Sequence, residues 1–306
     1  MILVTGATGF LGKRVCRKLL ERGVEFERTS LSLGVDLRDP VQALRLFETV
    51  RPDKVINCAA FVGGIQYGYK YPAELFTYNL QMTLSVLEAS RKVGVGRLVN
   101  PISNCAYPAE ATVFREEEFW NGPLHESVLV YGFVRKASWV GSWAYKREYG
   151  FDALNLILSN MYGPEDHFEE ERSHALGALV RKIINARATR SPEVVVWGTG
   201  RPVREWLHVD DGAEALIRGL DAPAMVEPVN VGVCRGISIA ELARLIAQIV
   251  GYEGTLRFDT TKPDGALHKT VDGERGRQLL GWTPTRDFED GVRETVQWYQ
   301  ENHGDQ

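Results

Sequence analysis

Cysteine is scarce and scattered in this chain. Its four residues, Cys16, Cys58, Cys105 and Cys234, include no Cys-x-x-Cys pair and no Cys/His cluster of zinc-binding spacing. That argues against a disulfide scaffold or a structural metal and for a reducing compartment. Long apolar runs are missing too; nothing approaches the roughly 20 residues that cross a bilayer. Neither charge dominates, since 36 Lys and Arg face 40 Asp and Glu for a net −4. Bulk charge therefore gives no reason to expect nucleic acid or an anionic membrane as partner. Internal repeats and low-complexity segments are absent as well. The N-terminus enters a strand at once, so no signal peptide is expected. These absences describe a cytoplasmic, metal-free chain in which an anionic ligand must be caught locally.

With 306 residues, 44 % of them hydrophobic, the chain can bury roughly 75 % of its unfolded surface without a staple. Short β-rich runs alternate with amphipathic stretches. Strands are expected at Ile2–Thr5, Val24–Phe26, Lys54–Asn57, Arg97–Ile102 and Ala153–Leu158. A helix follows the first strand and ends at Gly23, and Asp39-Pro40 opens another with an N-cap and a first-turn proline. Longer helices are expected from Pro72 to Val93, closed by Gly94, and from about Tyr131 to Tyr149. Alternation of this kind predicts an α/β fold, a Rossmann-type doubly wound parallel sheet covered on both faces. After about Asn160 the pattern changes, with irregular stretches (Pro164–Ser173, Ala186–Pro192) among short strands and helices such as Ser238–Val250 and Phe288–Tyr299. The expected division is a dinucleotide-binding domain over 1–160, joined by part of about 205–230 threading back, and a smaller α/β substrate domain over 161–306.

Between the first strand and helix stands Gly6-Ala7-Thr8-Gly9-Phe10-Leu11-Gly12. Three glycines at this spacing permit a tight turn, close approach of a pyrophosphate to backbone N–H groups, and close helix–strand packing. The loop, with Thr8, Phe10 and Leu11, is the expected dinucleotide cradle. After the second strand the chain reads Glu27-Arg28-Thr29-Ser30. An acidic residue there would grip a ribose 2′-OH and favour NAD, whereas Arg28 and the small hydroxyls favour the 2′-phosphate of NADP. NADP is the expected cofactor, with NAD the alternative.

The loop, the Cys58-Ala59-Ala60 strand end, Asn79 in the long helix, Ser103, Tyr131 and Asn160-Met161-Tyr162-Gly163-Pro164 together resemble the extended short-chain dehydrogenases/reductases. Further segments resemble one branch, the GDP-L-fucose synthases. They are Val62-Gly63-Gly64-Ile65, Ser103-Asn104-Cys105-Ala106-Tyr107-Pro108, Ser173-His174, the run from Trp197 to Asp211 and Lys262-Pro263-Asp264-Gly265. The resemblance covers nearly the whole chain. It implies 3,5-epimerisation and 4-reduction of a GDP-4-keto-deoxy sugar with NADPH. It also implies a homodimer packed through the Pro72–Val93 and Tyr131–Tyr149 helices, although their apolar residues fit a core equally well.

By the same resemblance Cys105 is the base and His174 the acid of epimerisation. Tyr131 donates the proton of reduction and Ser103 holds the carbonyl. Asp36, Leu37, Ala59, Ala60 and Asn160 join the cofactor site. Arg204, whose planar fork suits paired phosphate oxygens, leads the substrate ligands, with Lys182, Trp197 and Lys269 behind it; Lys182, beside Arg181, reads equally as a solvated face. His208-Val209-Asp210-Asp211 is expected to start a structural helix with Asp210 or Asp211 as N-cap.

The chain departs from the pattern at one position. The resemblance expects Tyr-x-x-x-Lys, and here the fourth residue after Tyr131 is Arg135. Lys136 lies about 100° further around an ideal helix and cannot replace it without a local bulge. A guanidinium keeps the positive charge but not the shape of the lysine. Three outcomes are open: intact chemistry, a weakened reductase half, or a changed cofactor. Two other readings keep the cofactor loop but not this reaction: an epimerase or dehydratase that recycles bound NAD, and a non-catalytic dinucleotide-binding protein.

Overall fold

A computed structural model of the protein describes residues 1–63, 65–169, 173–262 and 264–303. Gly64 and Pro263 of the quoted motifs, and positions 170–172 of the first irregular stretch, lie outside the described residues. The first half carries β1 (Ile2–Thr5), α1 (Phe10–Glu21), β2 (Phe26–Arg28), α2 (Pro40–Val50), β3 (Lys54–Asn57), α3 (Ile65–Lys70) and α4 (Pro72–Val93). It continues through β4 (Arg97–Ser103), β5 (Val113–Phe114), α5 (Leu129–Tyr149), β6 (Ala153–Leu158) and β7 (Asn160–Tyr162). The second half runs through α6 (Ala175–Ala188), β8 (Glu193–Trp197), β9 (Val203–His208), α7 (Val209–Gly219), β10 (Val229–Val231) and β11 (Gly236–Ser238). It ends with α8 (Ile239–Val250), β12 (Thr255–Asp259), β13 (His268–Val271), α9 (Glu274–Leu280) and α10 (Phe288–His303).

Six strands form one parallel sheet in the order β10-β6-β4-β3-β1-β2. Its interior strands read as near-continuous apolar runs because helices cover both faces; every residue of β6 is buried. One face packs Val15, Leu19, Ala213 and Leu216 of α1 and α7 against Val4, Ile56 and Leu156. The other packs Phe47, Val86 and Leu87 of α2 and α4 against Leu3, Val55 and Leu98. A second core gathers α6, α8 and α10 around Trp206 and Tyr162, beside the smaller sheets β11-β9-β13-β5 and β12-β8.

Local chemistry explains several ends. Asp39 accepts from the N–H groups of Val41 and Gln42 ahead of Pro40, and α4 stops at Gly94 in the left-handed region. Three expectations need correction. The second strand lies two residues later than expected, because Val24 still bonds back to Leu19 and only Phe26 comes into register with Ile2. The stretch from Ala186 begins inside a helix, since α6 continues to Ala188. The N-cap of α7 is His208, whose Nδ1 accepts from the Asp210 N–H. Asp211 instead accepts from the Thr285 and Arg286 N–H groups, tying α7 to the segment before α10.

Candidate active site

The glycine loop is shaped by what surrounds it. Gly6 has φ +60°, and a Cβ there would stand 2.5 Å from the Cys58 carbonyl. A Cβ on Gly12 would stand 2.1 Å from the Gly6 carbonyl oxygen. No side chain fits at either position without moving backbone. The first turn of α1 starts at Gly9 with no side-chain cap, leaving its N–H groups for a ligand. Phe10 and Leu11 turn into the core behind the loop.

At the far end of β1 and β2 three hydroxyls meet. Thr8 Oγ1 lies 3.0 Å from Ser30 Oγ and 2.8 Å from Ser32 Oγ, and the two serines are 3.0 Å apart. Arg28 is exposed beside them on β2. Asp36 is not free to grip a ribose, because Arg38 donates to both its oxygens at 2.8 and 3.0 Å. That pairing holds the Asp36 carboxyl below its ordinary range. Arg38 also covers the Tyr78 ring at 4.6 Å. A hydroxyl cluster beside a cation, with the nearby carboxylate neutralised, suits a phosphate better than a bare 2′-OH. Ser32 was not singled out from the sequence; only its meeting with Thr8 reveals it. Leu37 is buried in the core, the Ala59 N–H bonds to Thr5 Oγ1 at 3.3 Å, and Ala60 is exposed.

Four of the expected site residues, Ser103, Cys105, Tyr131 and Arg135, lie where β4 meets α5. Ser103 ends β4, and its Oγ accepts from the Cys105 N–H at 3.2 Å, turning the chain into a 3₁₀ segment over Asn104–Ala106. A Cβ on Gly132 would sit 2.4 Å from the Cys105 carbonyl oxygen. This glycine lets α5 approach the Cys105 turn and sets Tyr131 beside it. Sequence reasoning missed it, since a helical glycine signals nothing until its neighbour is known.

One turn along α5, Arg135 donates from Nη2 to the Tyr131 hydroxyl at 2.9 Å. The guanidinium carbon stands 4.7 Å from the Tyr131 ring centroid, and Nη2 is 3.4 Å from Asn79 Oδ1. Asn79 is fixed in turn by the Phe61 N–H and C=O and by the Leu75 C=O. Arg135 is buried, and its Nε has no partner. Lys136 points elsewhere. It donates to the Phe119 carbonyl and faces the Phe119 and Trp120 rings at 4.6 and 4.3 Å, and burial pulls it down to about 8.

His174 is the N-cap residue of α6, yet its ring makes no capping bond. Its surface is exposed to solvent, although the chain crowds around the ring. That crowding, with His167, holds its pKa below the ordinary histidine value. Arg204 bonds to the Val203 and Asp264 carbonyls at 2.8 and 3.5 Å. Burial pulls its guanidinium below the ordinary value, while the Cys105 and Asp264 side chains act in the other direction. Lys269 stands opposite Arg204 in the β13–β9 register. Trp197, 45 % exposed, has the ammonium of Lys182 at 5.2 Å and that of Lys262 at 5.4 Å from its ring. Lys182 also donates to the Val195 carbonyl, so it is not a solvated face. Asp264 fastens the turn after Trp197 by accepting from Thr199 N and Oγ1 at 2.7 and 2.8 Å.

A cavity of about 490 Å³ bounded in part by Tyr162, Trp206, Arg235, Arg286 and Phe288 contains none of the residues singled out for chemistry.

Behind Arg204 lies a group the sequence did not flag. Glu205 is fully buried and accepts from the Val233 N–H at 2.7 Å and the Val271 N–H at 2.9 Å, while its backbone C=O accepts from Asn160 Nδ2. Burial raises its carboxyl from 4.5 to about 7. A carboxyl raised on folding contributes stability below its unfolded pKa, and that contribution is lost as pH climbs through the folded value. The expected loss between pH 4.5 and 7 is about 3 kcal/mol. Glu205→Gln removes this titration at a fixed cost for the mispaired amide. The variant's stability deficit should therefore be smaller at pH 8 than at pH 5, read by denaturant unfolding. An equal deficit at both would refute the assignment.

A family model described as NAD dependent epimerase/dehydratase family matches residues 2–232. The chain is 38 % identical to probable GDP-L-fucose synthase 1 of Oryza sativa subsp. japonica, over 98 % of this chain and 92 % of that protein. It is 34 % identical to GDP-L-fucose synthase of Escherichia coli (strain K12), over 98 % and 97 %. A GDP-L-fucose synthetase from Naegleria fowleri bound to NADP superposes with a TM-score of 0.90 at 29 % identity, covering 99 % of this chain and 95 % of that one. With the glycine loop at its head and these likenesses along nearly its whole length, the chain belongs to the NAD-dependent epimerase/dehydratase family.

Proposed function

We propose that the protein uses NADPH to convert a GDP-4-keto-6-deoxy sugar, by epimerisation at C3 and C5 and reduction at C4, into GDP-L-fucose or a related GDP-deoxy sugar. The C4 carbonyl acidifies the neighbouring C–H bonds. Epimerisation then needs a base on one face of the ring and an acid on the other, the roles we give to Cys105 and His174. The loop Gly6–Gly12, Arg28 with the Thr8, Ser30 and Ser32 hydroxyls, and Asn160 would hold the dinucleotide, which when bound supplies a hydride to C4. Tyr131 gives its proton to the C4 oxygen, and Ser103 donates a hydrogen bond to that oxygen as charge gathers on it. Arg204, Lys269 and Lys182 would hold the diphosphate around the Trp197 platform.

The observation that carries this reading is the 2.9 Å contact from Arg135 to the Tyr131 hydroxyl. The residue standing in the lysine position keeps a fixed positive charge where the proton leaves. In deuterated water with GDP-4-keto-6-deoxymannose and NADPH, deuterium should enter at C3 and C5 and NADPH should be consumed. Absence of both would overturn the proposal. Arg135→Lys replaces the planar fork with a single ammonium that should not serve both Tyr131 and Asn79, so NADPH oxidation should fall, by about tenfold at most. A rise would mean that Arg135 hinders reduction.

Free thiols at all four cysteines support a cytoplasmic setting, and among the described residues no helix is long and apolar enough to cross a membrane. We also infer a dinucleotide domain built on the six-stranded sheet, a smaller substrate domain beside it, and a homodimer. Phe76 and Leu84 on α4, and Phe133, Val140 and Trp143 on α5, are each more than 40 % exposed, a combined patch that fits helix-to-helix packing between copies. Sedimentation should give twice the 34.3 kDa chain mass, and Trp143→Glu should halve it.

A further inference from the structure

Outside the groups given chemical roles, one side chain is gripped by three cations of a single helix. Glu165, in the loop after β7, takes Lys13 Nζ at 3.1 Å, Arg17 Nη2 at 3.1 Å and Arg14 Nη2 at 3.4 Å. All three belong to α1, the helix that opens the cofactor loop. Arg14 also donates to the Pro164 carbonyl at 3.0 Å. Glu165 is held at φ +70°, a left-handed conformation that disfavours any side chain with a Cβ. An exposed ion pair contributes little by itself. Here a shared carboxylate and a buried guanidinium form a network that holds the backbone in a shape it would otherwise leave.

The loop so held leads to α6. Phe168 is buried against Leu176 and Leu179, and the His167 carbonyl lies so close to α6 that a Cβ on Gly177 would sit 3.0 Å from it. His167 acts electrostatically on His174. The first turn of α6, with His174 at its head, thus rests on a loop fastened to α1.

We propose that Glu165 is a positioning residue that, through its grip on α1, fixes where His174 stands relative to the reacting sugar carbon. The inference rests on the proposed role of His174 in epimerisation. It gives Lys13 and Arg17 a task besides solvating a helix face, and it ties the cofactor helix to the acid on the far side of the substrate.

Glu165→Gly separates this from a structural role, because glycine accepts φ +70° without strain and the fold should survive. Its NADPH Kd and sugar KM should stay within about twofold of the parent, while kcat for C3/C5 deuterium exchange falls about tenfold or more, as small displacements of a reacting group do. Glu165→Asp, which keeps the carboxylate, should recover part of that loss. Lys13→Ala with Arg17→Ala attacks the grip from the other side, leaves the loop sequence intact, and should give the same kcat loss. The ring proton resonance of His174 should move in both variants while those of His125 and His268 stay. An unmoved His174 resonance, or an exchange kcat within twofold of the parent in both, overturns the proposal. If the parent exchanges no deuterium, the functional reading fails, and the His174 resonance alone decides this one.

Discussion

Replacing Tyr131 with phenylalanine is expected to lower NADPH oxidation by about 10²–10⁴-fold, the range for loss of a positioned proton donor. The hydroxyl is the only part removed, so the ring can still lie against Arg135. Deuterium exchange at C3 and C5 should fall far less, by about tenfold at most, because the proposed base and acid are untouched and Ser103 would still donate to the C4 oxygen. Cofactor binding should be unaffected. Single-turnover fluorescence of NADPH measures the first quantity, and mass spectrometry of recovered sugar measures the second. Equal losses in both would mean that Tyr131 serves the whole site rather than reduction.

Cys105→Ala should give the complementary result. Removing the thiol takes away the proposed base, and exchange at the carbons it would serve should fall about 10²–10⁴-fold. The backbone turn should persist, because Ser103 Oγ bonds to the Cys105 N–H and Gly132 packs on its C=O; neither contact uses the side chain. NADPH oxidation should continue only as far as the unepimerised ketone fits the Tyr131 end of the site, so the product should carry the starting configuration at C3 and C5. A product still inverted at both carbons would remove Cys105 from the mechanism. Run together, the two variants separate the half-reactions by residue.

What the sequence made legible was whatever depends on neighbours along the chain. β1, β3 and α4 have the expected ends because apolar runs, Pro72 and Gly94 punctuate them locally. Asp39-Pro40 caps a helix by chemistry contained in four residues. The misreadings came from the opposite situation. His208 rather than an aspartate caps α7, because Asp211 is engaged by Thr285 and Arg286, far along the chain. β2 slides to Phe26 because its register is set by β1. At the site, the residue types came from motif and resemblance, whereas Gly132, Ser32, Glu205 and Glu165 matter only through contacts with distant residues. The Tyr131–Arg135 contact is intermediate. Its spacing was visible, but the arginine's reach to both the hydroxyl and Asn79 depended on how α4 lies beside α5.

Gly6 is pressed against the Cys58 carbonyl, 52 positions away along the chain. The glycine loop therefore takes its shape only once β3 has docked beside β1, and a nucleotide would find no such loop on a chain whose sheet is incomplete. Ligand affinity and folding free energy are then linked quantities. At a hundredfold excess over Kd, the nucleotide should add about 2.7 kcal/mol to the stability of the native state. A dinucleotide held by this loop would thereby raise the share of the chain that is folded.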